Sequence, residues 1–246
     1  YQINLLRFFN FKAKLSRHSL IARLKKYNEP FSALIDIPEL TIASFSPERF
    51  VKITPDSGEY KIEAFPIKGT SPRSSDLIQD EKNARNLVDS EKDQAELHMI
   101  VDLMRNDLAR VSQTGSVKVT DRGSLKSFKN VHHLVASISS VLRPGLSVED
   151  LLKPILPGGS ITGAPKIEVM TAIKEYENRT RGYFMGNIFY LDESGAFDSS
   201  ILIRTIVKHG SKPYEFAAGS GIVVHSNPEL EMAEISAKCS VVTAPW

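Results

Sequence analysis

Between Asp76 and Val111 the chain runs without a glycine or a proline, and helix formers dominate the stretch. A run of that kind is helical by default, because the two residues that most often end a helix are missing from it. Just upstream the composition does the opposite. Apolar, β-rich runs at 31–37, 40–45, 49–54 and 59–65 are separated by short turn sequences, of which "PDSG" (55–58) is the clearest. Runs joined so tightly become antiparallel neighbours. The expected class is therefore α+β or α/β, with many antiparallel pairs. No repeat, linker or low-complexity tract interrupts the sequence, and a single domain over 1–246 is expected.

The remaining segments follow the same grammar. Residues 15–27 place apolar side chains at 15, 20, 21 and 24 and predict an amphipathic helix. The long run is one helix, or two broken near Asp89–Ser90. "SVKV" (116–119) predicts a strand, while 131–142 is β-branched enough for a strand yet long enough for a helix. "SVEDLLKPI" (147–155) predicts a helix with Ser147 as N-cap and Asp150 at the capping-box position. The glycine-rich stretch "PGGSITGAPK" (157–166) leads into a helix ending near Glu177. Strands are expected at 183–191 and 196–208, joined by "DESG", and at 214–224. The last helix starts at "NPELE", with Asn227 as N-cap and Pro228 at its first position.

Bulk properties exclude several function classes. A net charge of +2 with no Lys/Arg block argues against nucleic acid as a partner. No stretch approaches the roughly 20 apolar residues that span a bilayer, so no membrane role is expected. One cysteine, Cys239, allows neither a disulfide framework nor a thiolate pair for zinc, and a reducing cytoplasm is the simplest setting. The opening "YQINLLRFF" has no initiator methionine and begins inside an apolar run. It is expected to be part of a longer protein whose N-terminal portion precedes it.

A few positions have more than one reading. Asp93 and Glu96 stand three apart on one helix, and Glu231 and Glu234 three apart on another. Each pair shares a helical face. Facing one another they make an all-oxygen cluster suited to Mg²⁺; apart, they are solvated carboxylates. "PGGSITGAPK" and "AAGSGIVV" (217–224) are either ligand-binding turns or plain tight turns. Neither completes a P-loop or a dinucleotide fingerprint. Arg204 lies in the apolar run "SSILIRTIV" and must meet a partner carboxylate or a ligand carboxylate. His132 and His133 are adjacent, so one of them faces inward from a strand. Glu48 in "SPERF" reads as a turn-terminal charge, and Lys68 in "PIKGT" as an exposed turn lysine or a buried amine.

In combination these stretches point further. "SPERF", "PIKGT", "AELHMIVDLMRNDLARV", "VHHLVAS", "PGGSITGAPKIEVM", "GNIFYL", "IRT" and "AGSGIVVHSNPELEMAE" occur in this order. Together they resemble the chorismate-binding catalytic domain of anthranilate, aminodeoxychorismate, isochorismate and salicylate synthases, over essentially the whole chain. The resemblance implies a four-layer α/β/β/α sandwich of two large, mostly antiparallel sheets. It also implies chorismate as substrate, held with Mg²⁺. By motif, Glu96 and Glu234 match direct metal ligands, with Asp93 and Glu231 as their partners. Asp93 stands where other members carry Glu, and its shorter reach favours a water-mediated role. Tyr190, Arg204, Lys238 and the backbone around Gly219 and Gly221 match positions that hold substrate carboxylates. Thr162 and Gly163 match the glycine-rich wall, His133 the family histidine, and Glu48 the acid that protonates the departing hydroxyl.

Two positions separate the reactions of the family. Members that add water carry lysine where this chain has Gln2. Anthranilate synthases read "PIAGT" where this chain reads "PIKGT". Lysine at position 68 resembles the aminodeoxychorismate synthase branch, which implies a covalent lysine intermediate and a glutaminase partner supplying ammonia. Anthranilate synthase component I, and a catalytically silent chorismate-binding domain, are the alternatives.

Overall fold

The computed structural model describes residues 2–129 and 131–243, with side chains through Cys239. The chain forms two compact units, one from 1–49, 161–189 and 200–246, the other from 50–160 and 190–199. Along the sequence the first elements are β1 (Gln2–Phe11), α1 (Arg17–Tyr27), β2 (Phe31–Ile37), β3 (Leu40–Ser46), β4 (Arg49–Asp56), β5 (Glu59–Ala64) and β6 (Ile67–Pro72). The middle supplies α2 (Leu77–Val88), α3 (Glu91–Ala109), β7 (Lys118–Ser127), β8 (Val131–Val141) and α4 (Val148–Ile155). After it come α5 (Gly159–Thr162), β9 (Gly163–Ala164), α6 (Lys166–Glu177), β10 (Asn187–Leu191), β11 (Phe197–Ile201), β12 (Thr205–His209), β13 (Tyr214–Ile222) and α7 (Pro228–Thr243).

Helix boundaries are set by side-chain caps. Ser16 Oγ accepts the Ser19 N–H at 3.1 Å to start α1, and Asn28 closes it in the left-handed conformation. Ser90 Oγ accepts the Asp93 N–H, which is why the long helical run breaks at Asp89–Ser90. Ser147 and Asp150 form the reciprocal capping box. Asn227 Oδ1 accepts the Leu230 N–H at 3.0 Å and starts α7.

The first unit is built on a six-stranded sheet of order β2-β3-β12-β13-β1-β9, whose registered pairs are antiparallel. On one face Phe45, Ile206, Phe216 and Ala218 pack with Leu20 of α1 and Ile235 of α7. On the other, Ile42, Val207 and Ala217 pack with Phe184 and Leu202. Burying each of these larger side chains contributes about 1.5–3 kcal/mol relative to exposure. The second unit is carried by a seven-stranded sheet of order β10-β11-β4-β5-β8-β6, with β7 paired to β8. Helix α3 lies on β6, β7 and β8, and buries Leu97, Ile100, Val101, Met104 and Leu108.

Several expectations change. Segment 131–142 is a strand; His132 to Ala136 are all buried, so the two-residue alternation that marks a half-exposed strand is absent there. Residues 196–208 are not one strand but two, β11 and β12, which belong to different sheets. The break comes at Arg204, whose φ of 49° no strand accommodates. Segment 183–191 becomes strand only from Asn187, after left-handed turns at Gly182 and Met185. "PIKGT" is strand β6 rather than a turn, and β7 runs well beyond 116–119.

Candidate active site

In the second unit the candidate residues gather around one glycine. Lys68 pairs with Leu134 and Thr70 with His133, so Gly69 is an extra residue between them, a β-bulge. A regular strand keeps residues 68 and 70 on one face; the bulge breaks that relation and re-aims the lysine. Gly69 adopts φ +67°, and a Cβ there would lie 2.7 Å from Leu87 Cδ1 and 3.1 Å from Asp93 Cβ and Cγ. Asp93 therefore packs directly on the bulge backbone beside half-buried Lys68. Glu96 follows one turn later on α3, with Lys92 Nζ 4.0 Å from its carboxylate.

His133 is buried, and its Nδ1 lies 3.1 Å from Gly69 O and 3.0 Å from Thr70 Oγ1. A carbonyl only accepts, so Nδ1 carries the proton and Nε2 is the basic nitrogen of the neutral ring. Its neighbour His132 is buried as well, in a separate network. His132 Nε2 lies 3.1 Å from Asp80 Oδ1, and Nδ1 lies 2.8 Å from Ser127 Oγ. The Arg73 guanidinium beside Asp80, helped by the Ser74 N–H, holds that carboxyl well below the usual carboxylate range. Both histidines thus have inward roles, and only His133 touches the bulge. Tyr190 sits on β10 and is exposed.

In the first unit a second set gathers along β1, β13 and α7. Gly163 (φ +134°) brings β9 so close to β1 that a Cβ would lie 1.9 Å from Gln2 O. A Cβ on Gly219 would lie 2.0 Å from Leu5 O, and one on Gly221 2.0 Å from Gln2 Nε2. Thr162 beside them is buried. Lys238 Nζ donates to Gly219 O at 2.8 Å and to Glu234 Oε1 at 2.6 Å. Glu231 is buried and accepts from Ser226 Oγ at 2.7 Å. Glu48 sits in a turn whose carbonyl takes the Ile201 N–H, and Arg204 O takes the Phe45 N–H, so both come from one pair of strand ends. Arg204 Nη1 meets Glu29 Oε1 at 3.1 Å. Burial pushes the Glu29 carboxyl up, and Arg204 offsets part of that.

Among the described residues no three histidine, cysteine or carboxylate side chains converge on one point. Magnesium does not need such a cage: one or two carboxylates suffice, with water and ligand oxygens completing the octahedron. Asp93 and Glu96 on α3, and Glu231 and Glu234 on α7, offer that hard-oxygen chemistry within each helix, and the donor set fits the ion.

The profile of the chorismate binding enzyme family matches residues 1–244. The chain belongs to the chorismate-binding enzyme family. It is 42% identical over its whole length to aminodeoxychorismate synthase component 1 of Salmonella typhimurium, of which it covers 53%. It is 43% identical over 95% of its length to the Escherichia coli protein of the same name, covering 51% of it. The chain thus spans about half the length of these relatives. Its fold matches a crystal structure of anthranilate synthase component I from Streptococcus pneumoniae with a TM-score of 0.86 and 32% identity, covering 98% of this chain and 52% of that one. The α+β class with two large antiparallel sheets is that of the family. No helix among the described residues is long and apolar enough to cross a membrane.

Within this family frame, three features escaped the sequence reading. The Gln2 amide, and the Asn4 amide nitrogen two residues along β1, are buried without hydrogen-bond partners among the described residues, as is Ser220 Oγ. The alternation of polar Gln2 and Asn4 with apolar neighbours was the signal available. Thr70, which holds His133, follows Gly69 in the quoted motif. Glu29, between Asn28 and Pro30, carries no periodic or motif signal at all.

Proposed function

We propose that the full-length protein converts chorismate and ammonia to 4-amino-4-deoxychorismate and water, on the route to 4-aminobenzoate and folate, with a partner glutaminase supplying the ammonia. The observation that carries this reading is Lys68 in the bulge at Gly69, packed against Asp93 and one residue from the backbone that holds His133. The bulge, at a glycine that takes φ +67° without steric cost, sets the direction in which the Lys68 side chain leaves the strand, and an amine aimed at a substrate can serve as a nucleophile. Its Nζ attacks ring C2, the ring double bonds shift, and the C4 hydroxyl leaves as water after accepting a proton from Glu48. Ammonia then adds at C4, the double bonds shift back, and Lys68 departs from C2. His133 orients the bulge through Nδ1, leaving Nε2 as an acceptor in its neutral form. Arg204 and Lys238, with Tyr190 and the glycine-lined wall of Thr162, Gly163, Gly219 and Gly221, hold the substrate carboxylates. The carboxylates matched by motif, Glu96 with Asp93 on α3 and Glu234 with Glu231 on α7, would be the ligands of Mg²⁺. When bound, the ion would supply charge neutralisation for a substrate carboxylate.

Incubating the full-length protein with chorismate, Mg²⁺ and ammonium, then adding a 4-aminobenzoate-forming lyase, is expected to yield 4-aminobenzoate. Fluorescent anthranilate as the main product refutes the reading and supports the second one, anthranilate synthase component I, which the S. pneumoniae fold match favours. Lys68→Ala is expected to lose both turnover and the covalent adduct seen by intact-mass spectrometry. Wild-type turnover in that variant removes the nucleophile.

A further inference from the structure

Arg204 sits where the chain leaves one sheet for the other, in a left-handed conformation (φ 49°) that is unfavourable for an L-residue with a side chain. The surroundings over-determine it. Arg204 O takes the Phe45 N–H at 3.1 Å. The fully buried Thr205 lies with its Oγ1 3.0 Å from Ser44 Oγ and 2.9 Å from Ile203 O. Strain maintained this way marks positions where the backbone serves a side chain. It fixes the Arg204 Cα, but four side-chain torsions still separate that atom from the guanidinium.

Glu29 settles the far end. It follows the left-handed cap Asn28, precedes Pro30, and its carbonyl takes the Ser32 N–H at 3.2 Å, so its own backbone is held on both sides. Its Oε1 meets Arg204 at Nη1, with both side chains about a quarter exposed (24% and 28%). A carboxylate that competed for the guanidinium would take the Nε–Nη2 edge, whose two parallel donors match a carboxylate fork. The contact with Glu29 is on Nη1, away from that edge.

We propose that Glu29 is a positioning residue for Arg204, anchoring the guanidinium by Nη1 so that the Nε–Nη2 edge is presented to a carboxylate of the substrate. This rests on Arg204 binding substrate as proposed above. The residue acts through Arg204 and does not itself touch the ring.

The test is steady-state kinetics of the full-length protein with chorismate, together with calorimetric chorismate affinity and thermal unfolding of each variant. Glu29→Ala is expected to raise KM and Kd about tenfold, the size of one lost orienting hydrogen bond to a charge, with kcat changed less than about twofold and the melting temperature retained. Glu29→Gln, which keeps an acceptor at Oε1, is expected to restore most of the affinity. In an Arg204→Ala background, Glu29→Ala is expected to add nothing. If Arg204→Ala weakens chorismate binding while Glu29→Ala does not, the positioning role is overturned and the substrate reading stands. Tighter binding in Glu29→Ala makes Glu29 a competitor and overturns the proposal. A fall in kcat and melting temperature together reduces it to a structural pair. If Arg204→Ala leaves binding unchanged, the substrate role of Arg204 falls, and with it the premise.

Discussion

Replacing Gly69 with alanine tests the bulge without replacing any side chain proposed to act on the substrate or the metal. Two costs add. The φ of +67° forces alanine into the left-handed region, at about 1–2 kcal/mol. The new methyl meets Leu87 Cδ1 at 2.7 Å and Asp93 Cβ and Cγ at 3.1 Å. Leu87 is 4% exposed in the last turn of α2, so it has little room to swing away. Overpacking of this kind costs about 1–3 kcal/mol, for a total of about 2–5 kcal/mol. Gly115 provides the control: its φ is +79°, and nothing lies within 4 Å of an added Cβ. Alanine there incurs the conformational cost alone, so the difference between the two variants isolates contact with Leu87 and Asp93. Urea titration of the full-length protein reads that difference as a lower midpoint for Gly69→Ala. Turnover in the same variant is expected to fall at least about tenfold, since relieving the clash moves Asp93 or Lys68, and sub-ångström misplacement is costly to catalysis. A midpoint no lower than that of Gly115→Ala refutes the packing argument. A lower midpoint with full turnover refutes the link between the bulge and the chemistry.

Gly163→Ala and Gly219→Ala drive a methyl into backbone carbonyls at 1.9 and 2.0 Å rather than into a side-chain tip. Neither variant is expected to accumulate as folded protein, and a native-like circular-dichroism melt from either one contradicts the strand spacing. Asp80→Asn is expected to destabilise the second unit in a pH-dependent way. Because Arg73 depresses the folded carboxyl's pKa, the stabilisation is complete above the unfolded value near about 4 and fades as the pH falls below it. The gap between wild type and variant in urea midpoint should therefore be smaller at pH 3 than at pH 7. An equal gap at both means that charge on Asp80 is not its source.

Much of this fold was legible because local chemistry and tertiary context agree. The caps at Ser147 and Asn227, and the break at Ser90, follow from side chains that satisfy the first N–H groups of the next helix wherever that helix packs. Strand β8 was ambiguous for the opposite reason: burial on both faces erases the alternation that separates strand from helix. The site shows the same division. Lys68, Asp93, Glu96 and His133 stand in recognisable motifs, but the contacts of Asp93 and His133 with the bulge depend on Gly69, whose conformation and close approach to Asp93 exist only after α3 lies on the sheet.

Arg204 shows how such a limit arises. Its run, "SSILIRTIV", is apolar and β-branched enough for one strand, and a charge inside it admits a partner carboxylate or a ligand carboxylate with equal ease. The structure turns the chain at that residue, sends β11 and β12 to different sheets, and sets Glu29 against the guanidinium across 175 positions of sequence. Neither event is set by its own stretch of sequence alone. The turn is stabilised by Ser44, Phe45 and Thr205, and Glu29 is placed by the cap of a helix far upstream. The partner carboxylate the sequence left open is therefore present, on Nη1. Because that contact leaves the Nε–Nη2 edge outside it, a partner carboxylate and a ligand carboxylate cease to be alternatives. One guanidinium has the geometry to serve both.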